Sequence, residues 1–363
     1  MQGRAETSIG GMIPHSKPWI DESDHQAVRE TLAGGMIAQG GRVQQFEEAV
    51  AAYVGRAGGV AVSSGTAALI LSMKALGVHA GDEVILPTYV CRSVAEAVWA
   101  VGATPVLCDV GDQWLMSPET VAPKLSSMTK AIIAVHVFGI RADVMGLRQF
   151  GLPVIEDACQ AYVSRHSPVG DRRGQVDGSI LVLSFHAIKC LTTGEGGMAL
   201  SDDPDVLEKM WQCRDGVEAG TVARVGSPMT DLQAALGMSQ LARYDSFLKR
   251  RRMIADRYFN ELADMPVELP HDIRDRSIFF RFPLRIRGDF DVCRKQFDAL
   301  GVQVRRGVDA LLHRTLTADE GGFDGAERLF RDTLSIPLYP ALTDDEVQTI
   351  LVACHAVWRK QST

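Results

Sequence analysis

The chain has 363 residues, 46% hydrophobic and 23% charged, with a formal net charge of −7, an ordinary globular mix with apolar mass for two domains and no basic footprint for nucleic acid. Seven cysteines, odd in number, scattered and without a C-x-x-C pair, argue against a disulfide framework or a zinc site and fit reduced thiols in the cytoplasm. No signal peptide is visible and no apolar run approaches roughly 18 residues, so no membrane span is expected.

Residues 1–12 are glycine-rich and read as loose. A helix is predicted from Asp21, a plausible N-cap, to Leu32, with Gly34-Gly35 as its stop. A second, Val43 to Tyr53, puts Phe46, Ala49, Val50 and Tyr53 on one face. Strands and helices then alternate. Strands are predicted at Gly59–Val62, Glu83–Leu86, Thr104–Cys108, Ala131–Val137, Pro153–Asp157, Ile180–Phe185 and Gly197–Ser201. Helices are predicted at Ala67–Leu76, Cys91–Val101, Pro118–Leu125, Val144–Phe150 and Pro204–Cys213. Such βα units with short links build a mostly parallel sheet covered by helices on both faces, an α/β fold. Residues 163–178 read as a polar surface loop and 216–228 as an irregular connection.

Two helices follow, Thr230–Leu241 and Asp245–Leu262, and the domain boundary is placed along the second. Beyond it come strands at Ser277–Ile286, Val302–Arg305 and Leu334–Ile336 and helices at Asp291–Leu300, Ala326–Asp332 and Asp344–Trp358. The expected organisation is a large α/β domain, 1–245, and a smaller α+β domain, 246–363.

The chain is organised around Val182-Leu-Ser-Phe-His-Ala-Ile-Lys189, with Thr193-Gly-Glu-Gly-Gly197 behind it. Upstream, Pro153-Val-Ile-Glu-Asp157 is another apolar run ending in carboxylates. Ligands of open α/β sheets bind beyond the carboxyl ends of strands, so Asp157, Ser184 and Lys189 should face one crevice. An acid, a hydroxyl and a lysine are what pyridoxal phosphate needs: a partner for the pyridine nitrogen, a phosphate contact and an amine for the aldehyde. Each has a plainer reading. Lysines are mostly surface residues, Asp157 could cap a helix, and Ser64-Gly65-Thr66 could be a simple helix start. Glu156 alternates to the opposite side of its strand.

These segments, together with Gly35–Glu47, Glu83-Val-Ile-Leu-Pro-Thr88, His136-Val-Phe-Gly139, Asp231-Leu-Gln-Ala-Ala-Leu-Gly237 and Leu334-Ser-Ile-Pro-Leu-Tyr-Pro340, resemble in order and spacing the DegT/DnrJ/EryC1/StrS family. These are the pyridoxal-phosphate-dependent sugar aminotransferases of the aspartate aminotransferase fold, fold type I. The resemblance implies that Lys189 is the cofactor lysine, Asp157 the partner of the ring nitrogen, and Gln160 a contact on the ring hydroxyl side. It implies phosphate contacts from Gly65, Thr66 and Ser184. The family is dimeric, with sites built from both subunits.

Three departures are visible. Cys91 stands where the family has a ring-stacking aromatic residue. Gly226-Ser227-Pro228 replaces an Asn-Tyr-Arg whose asparagine reaches the neighbouring subunit's phosphate. Tyr162 replaces a histidine. His15 and Met36–Gln39, with Ile37, Ala38 and Gln39, align with parts that touch substrate, although inter-element loops would look the same. His186 is structural or lines the site, and Glu195 has a turn role or a substrate role. The resemblance implies transfer of an amino group from an amino acid, by analogy L-glutamate, to a ketosugar, nucleotide-linked by the same analogy. The alternatives are a keto-cyclitol or another non-nucleotide ketone as acceptor, or a non-catalytic cofactor-binding regulator.

Overall fold

The computed structural model describes residues 11–161, 178–216, 225–316 and 321–359. Its centre is a seven-stranded sheet in the order β1-β7-β6-β5-β4-β2-β3. The strands are β1 Gly58–Val62, β2 Glu83–Pro87, β3 Thr104–Cys108, β4 Thr129–Val135, β5 Val154–Asp157, β6 Ile180–Ser184 and β7 Gly197–Ser201. β7 runs antiparallel to both neighbours, and every other pair is parallel. Every residue of β5, β6 and β7 is buried, because helices cover both faces. That is why these strands read as continuous apolar runs rather than alternating ones.

The helices are α1 Glu22–Gly34, α2 Gly41–Val54, α3 Gly65–Ala75, α4 Arg92–Ala100, α5 Pro118–Val121, α6 Val144–Arg148, α7 Pro204–Asp215 and α8 Asp231–Glu261, with α9 Phe290–Ala299, α10 His313–Leu316, α11 Asp324–Asp332 and α12 Asp344–Arg359 further on. α1 starts and stops as its sequence dictates. Asp21 and Asp24 form a reciprocal capping box, and Gly35 takes the left-handed conformation, φ 78°, that ends the helix.

A second core lies around the antiparallel pair β8 Phe282–Arg285 and β9 Thr333–Ile336, with the last turns of α8, α9 and α12 packed on it. Residues near the N-terminus join it, since Ile13 is buried there and pairs with Val302.

Three expectations change. The helices predicted at Thr230–Leu241 and Asp245–Leu262 are one continuous helix. The polar residues that suggested a break are engaged sideways instead: Arg243 pairs with Asp21 and Asp24, and Asp245 accepts a 2.6 Å hydrogen bond from Tyr53 Oη. The strand expected from Ser277 shrinks to Phe282–Arg285, because Phe279 adopts φ 52° and turns the chain. Val302–Arg305 contributes isolated bridges rather than a strand.

Candidate active site

The antiparallel run of β7 brings three loop regions to one end of the sheet. Val62 and Ser184 both pair with Gly197, so the turn after β1, the segment after β6 and the loop before β7 meet there. They pack closely. A Cβ on Gly197 would stand 2.6 Å from Gly65 N and closer still to the Ser64 carbonyl, so only glycine fits without displacing backbone. A Cβ on Gly65 would meet Ser184 Cβ at 3.0 Å and Cys159 Sγ at 3.2 Å.

Ser64 caps α3, accepting from Ala67 N through Oγ (3.1 Å) and from Ala68 N through its carbonyl (3.0 Å). The Gly65 and Thr66 amides of the first turn are outside the helical bonding pattern and project at the helix's positive end. Ser184 Oγ lies beside Gly65. The result is a small concave wall of amides and a hydroxyl suited to a phosphate.

Asp157 closes β5 and is 5% exposed; its Oδ1 accepts from Cys159 N at 3.1 Å. Lys189 follows β6 through a turn closed by its own amide on His186 O at 2.8 Å, and its Nζ stands 5.2 Å from the centre of the Phe280 ring. Cys159 couples the two groups. Burial first, and then the Asp157 charge, push its thiol well above the usual range, while the Lys189 charge opposes them. The thiol is therefore neutral, and it feels the charges of both the acid and the amine.

Gln160 Oε1 accepts from Phe138 N at 3.0 Å. Phe138 is itself left-handed, φ 55°, and its carbonyl accepts from Ser277 Oγ at 2.9 Å. Ser277 Oγ in turn accepts from Phe279 N at 2.7 Å. Arg251 Nη1 donates to the carbonyls of Phe279 and Phe280 (3.0 and 3.1 Å). A chain of hydrogen bonds thus runs from the Asp157–Gln160 turn to the segment that carries Phe280 over Lys189. Two left-handed phenylalanines on it are stored strain, costing about 1–3 kcal/mol each, of the kind found at functional sites.

Cys91 is exposed at the start of α4, its Sγ 3.0 Å from Ser93 Oγ. The loop before it is anchored by the segment around α10 and α11, which packs on the main core. His313 N donates to Thr88 Oγ1 (3.0 Å), so the Thr88 hydroxyl hydrogen points to His313 Nδ1 (2.8 Å), and His313 Nε2 donates to Glu327 Oε1 (3.0 Å). Ser227 O accepts from Ser63 N at 2.8 Å and Pro228 bridges Val62, so the Gly226-Ser227-Pro228 segment lies against its own chain's β1 end.

The other candidates sit apart. Ala38 O accepts from Asp231 N (2.8 Å), Gln39 Nε2 donates to Asp215 (3.1 Å), and Ile37 is exposed; all three flank the start of α8. That start reaches the site indirectly, since Gln233 Nε2 donates to Glu195 O at 2.7 Å. His186 is half-exposed, its Nδ1 accepts from Ile188 N (3.3 Å), and its Nε2 faces Glu195 at 3.4 Å. His15 is buried, with Nε2 3.0 Å from Ser335 Oγ. Tyr162 lies outside the described residues, as does most of the 163–178 loop. No group of three or more potential metal ligands occurs among the described residues, and no helix is long and apolar enough to cross a membrane.

Sequence reasoning missed Cys159, Phe280, Arg281 and the Thr88–His313–Glu327 relay. Arg281 carried a signal, a lone cation inside the apolar run Phe279-Phe-Arg-Phe-Pro-Leu284. Thr88 and His313 carried none, being 225 positions apart.

Residues 18–355 match the DegT/DnrJ/EryC1/StrS aminotransferase family. The chain belongs to that family. It is 33% identical to the spore coat polysaccharide biosynthesis protein SpsC of Bacillus subtilis, over 94% of this chain and 96% of that one. The structure of the aminotransferase TlmJ from Streptoalloteichus hindustanus superposes with a TM-score of 0.87 at 32% identity, over 97% of this chain and all of the other. A sugar aminotransferase described as putative, Spr1654 from Streptococcus pneumoniae in its PLP form, gives 0.87 at 26% identity, over 96% and 99%. The chain is a pyridoxal-phosphate-dependent aminotransferase of the α/β fold. The residues present fit the cofactor: a hydroxyl-and-amide cradle with no room for a side chain at Gly197 and little at Gly65, a buried acid, and a lysine whose charge acts on the same thiol as that acid's.

Proposed function

We propose that the chain moves an amino group from L-glutamate to a nucleotide-linked ketosugar in aminosugar biosynthesis. The observation that carries this reading is the convergence of Asp157, Lys189 and the Gly65–Ser184 cradle at one end of the sheet, in a chain akin to a polysaccharide biosynthesis protein. Pyridoxal phosphate, when bound, supplies an electron sink for the carbon that gains or loses nitrogen.

In this reading the chain's residues divide the work. The Gly65 and Thr66 amides and Ser184 Oγ hold the phosphate. Asp157, buried at the end of β5, keeps the ring nitrogen protonated, opposite charges favouring one another. Gln160, its Oε1 committed to Phe138 N, offers its amide nitrogen to the ring hydroxyl side. Cys91 fills space against the ring with a polarizable thiol. Lys189 is nucleophile toward the cofactor aldehyde and then moves a proton as general acid and base. His15, Ile37, Ala38, Gln39 and His186 are assigned to the substrate side. The protein works as a homodimer with shared sites, and a large lobe, 1–245, meets a smaller one, 246–363, along α8. The segment around Ile13 joins the smaller lobe.

The test is a panel of nucleotide aminosugars assayed with 2-oxoglutarate, alongside the forward half-reaction with L-glutamate. Formation of 2-oxoglutarate from L-glutamate and a spectral change to the amine form of the cofactor are expected, and both vanish in Lys189→Ala. Turnover that survives Lys189→Ala, or a wild-type protein inert to every amino donor, refutes the reading.

A further inference from the structure

Arg281 lies between Phe280 and Phe282, both buried, at the entry to β8. Its Nη1 donates to Gly307 O at 3.2 Å and to Arg306 O at 3.5 Å. Its Nε is buried without an acceptor, and the hydrogen bonds it makes among the described residues all come from Nη1, leaving Nη2 without one. No carboxylate of the described residues pairs with it. Other buried or half-buried arginines differ: Arg56 pairs with Asp202, Arg214 with Glu47, and Arg243 with Asp21 and Asp24. Arg251, which also lacks a carboxylate, is enclosed by three carbonyls, those of Phe279, Phe280 and Leu338.

The surroundings of Arg281 add positive charge rather than remove it. Burial and then the neighbouring Arg305 lower its pKa to about 10, with the Asp309 charge opposing them. Burial and the same two arginines hold His15 well below the usual histidine range, so it stays neutral at neutral pH. A largely desolvated cation with a like charge beside it and no carboxylate in contact is costly, and such a group is a ready seat for a visiting anion.

Its place says what visits. The Phe280 ring carries Lys189 Nζ at 5.2 Å and Arg281 Cζ at 5.4 Å from its centre, so the two cations share one aromatic neighbour. The Arg281 charge also reaches Tyr89 and Cys91 on the opposite loop. Nε and Nη2, the two nitrogens without acceptors, form one edge of the guanidinium fork, and that edge matches the two oxygens of a carboxylate.

We propose that this edge of Arg281, with Arg305 adding a second charge, seats a carboxylate of the amino donor beside Lys189. The inference rests on the amino-acid donor reading above. Arg281 is thereby a donor-specificity residue.

The test uses cofactor-loaded wild-type, Arg281→Gln, Arg281→Lys and Arg305→Gln proteins, with glutarate, a dicarboxylate that cannot react, as the probe in calorimetry. Losing a charge-assisted pair should weaken glutarate about 30-fold in Arg281→Gln. Arg281→Lys should lie between, and the exposed Arg305→Gln should weaken it several-fold, about threefold or more. The cofactor absorption band should not move, and the KM for L-glutamate should rise in parallel. UDP, the second titrant, should bind all four proteins alike. Equal glutarate affinity in wild type and variants, or no glutarate binding by wild type, overturns the proposal. So does loss of UDP instead of glutarate, which would give the fork to the acceptor's diphosphate. If Arg281→Gln does not fold, Arg281→Lys and Arg305→Gln decide. Glutarate binding needs no turnover, so a failure of the donor–acceptor reading shows separately, as wild-type protein that forms no 2-oxoglutarate from L-glutamate.

Discussion

Replacing Gly197 with alanine tests the packing behind the wall of amides proposed to hold the phosphate. The new methyl would stand 2.6 Å from Gly65 N and nearer to the Ser64 carbonyl, both backbone atoms that cannot swing aside. To reach an ordinary contact, β7 must retreat from the turn by roughly 1 Å, and forced overpacking of this sort costs about 1–3 kcal/mol. The stiffer unfolded chain returns about 0.4–1 kcal/mol. A net loss of about 1.3 kcal/mol should lower the melting temperature by ~2 °C in a chain of this size. The same retreat opens the amides of Gly65 and Thr66, so affinity for pyridoxal phosphate should fall about tenfold or more, that is by at least ~1.4 kcal/mol. Gly194→Ala is the control. It sits in the same loop with φ 81° and nothing within 4 Å, so it carries backbone strain without a clash. Thermal melts and cofactor titrations of both variants check this. A Gly197→Ala protein with wild-type melting and wild-type cofactor affinity would refute the argument that close approach at Gly197 sets the cradle.

Two further outcomes are expected. Burial pushes the Glu156 carboxyl up, but the hydrogen bond and charge of His136, the Arg141 charge and the Gly178 amide outweigh it and hold it below the usual range. Stability from such a group is present above its unfolded pKa and is lost as pH falls through the lower folded one. Glu156→Gln should therefore be less stable at neutral pH and show a shallower loss of melting temperature below pH 4.5, the ordinary glutamate value; superimposable pH profiles would contradict this. Thr88→Val removes the hydroxyl that serves both His313 Nδ1 and His313 N. Leaving those buried groups unsatisfied should cost about 1–3 kcal/mol and shift the bound cofactor's absorption as the Tyr89–Cys91 loop relaxes, read by melting and by spectroscopy. An unchanged melt would show the relay to be incidental.

Much of the fold was legible because local chemistry and tertiary role agree. Asp21 and Gly35 bracket α1 as cap and stop, and Thr104–Cys108 is a strand in both accounts. The runs at Val154 and Ile180 stood out because strands buried on both faces need apolar residues at every position. Where local and distant signals compete, the distant one prevailed. Arg243 and Asp245 look like a break until their partners on α1 and α2 are known. Ser277–Phe280 has strand composition, yet its bonds to Phe138 and Arg251 bend it out of the ladder. At the site, Asp157, Ser184 and Lys189 were visible at the ends of apolar runs. Cys159 and the Thr88–His313–Glu327 relay were not, since nothing about those residue types marks them before the chain folds.

The unbroken α8 has a mechanical corollary. Thirty-one residues make a rod about 46 Å long. One end holds the Glu195 carbonyl through Gln233, and the other is sunk among the phenylalanines of the second core, with Tyr258 Oη on Pro337 O at 2.8 Å. A shaft without a joint cannot let its ends swivel independently. Any tightening of the smaller core around a substrate is therefore delivered, without slack, to the loop behind Lys189.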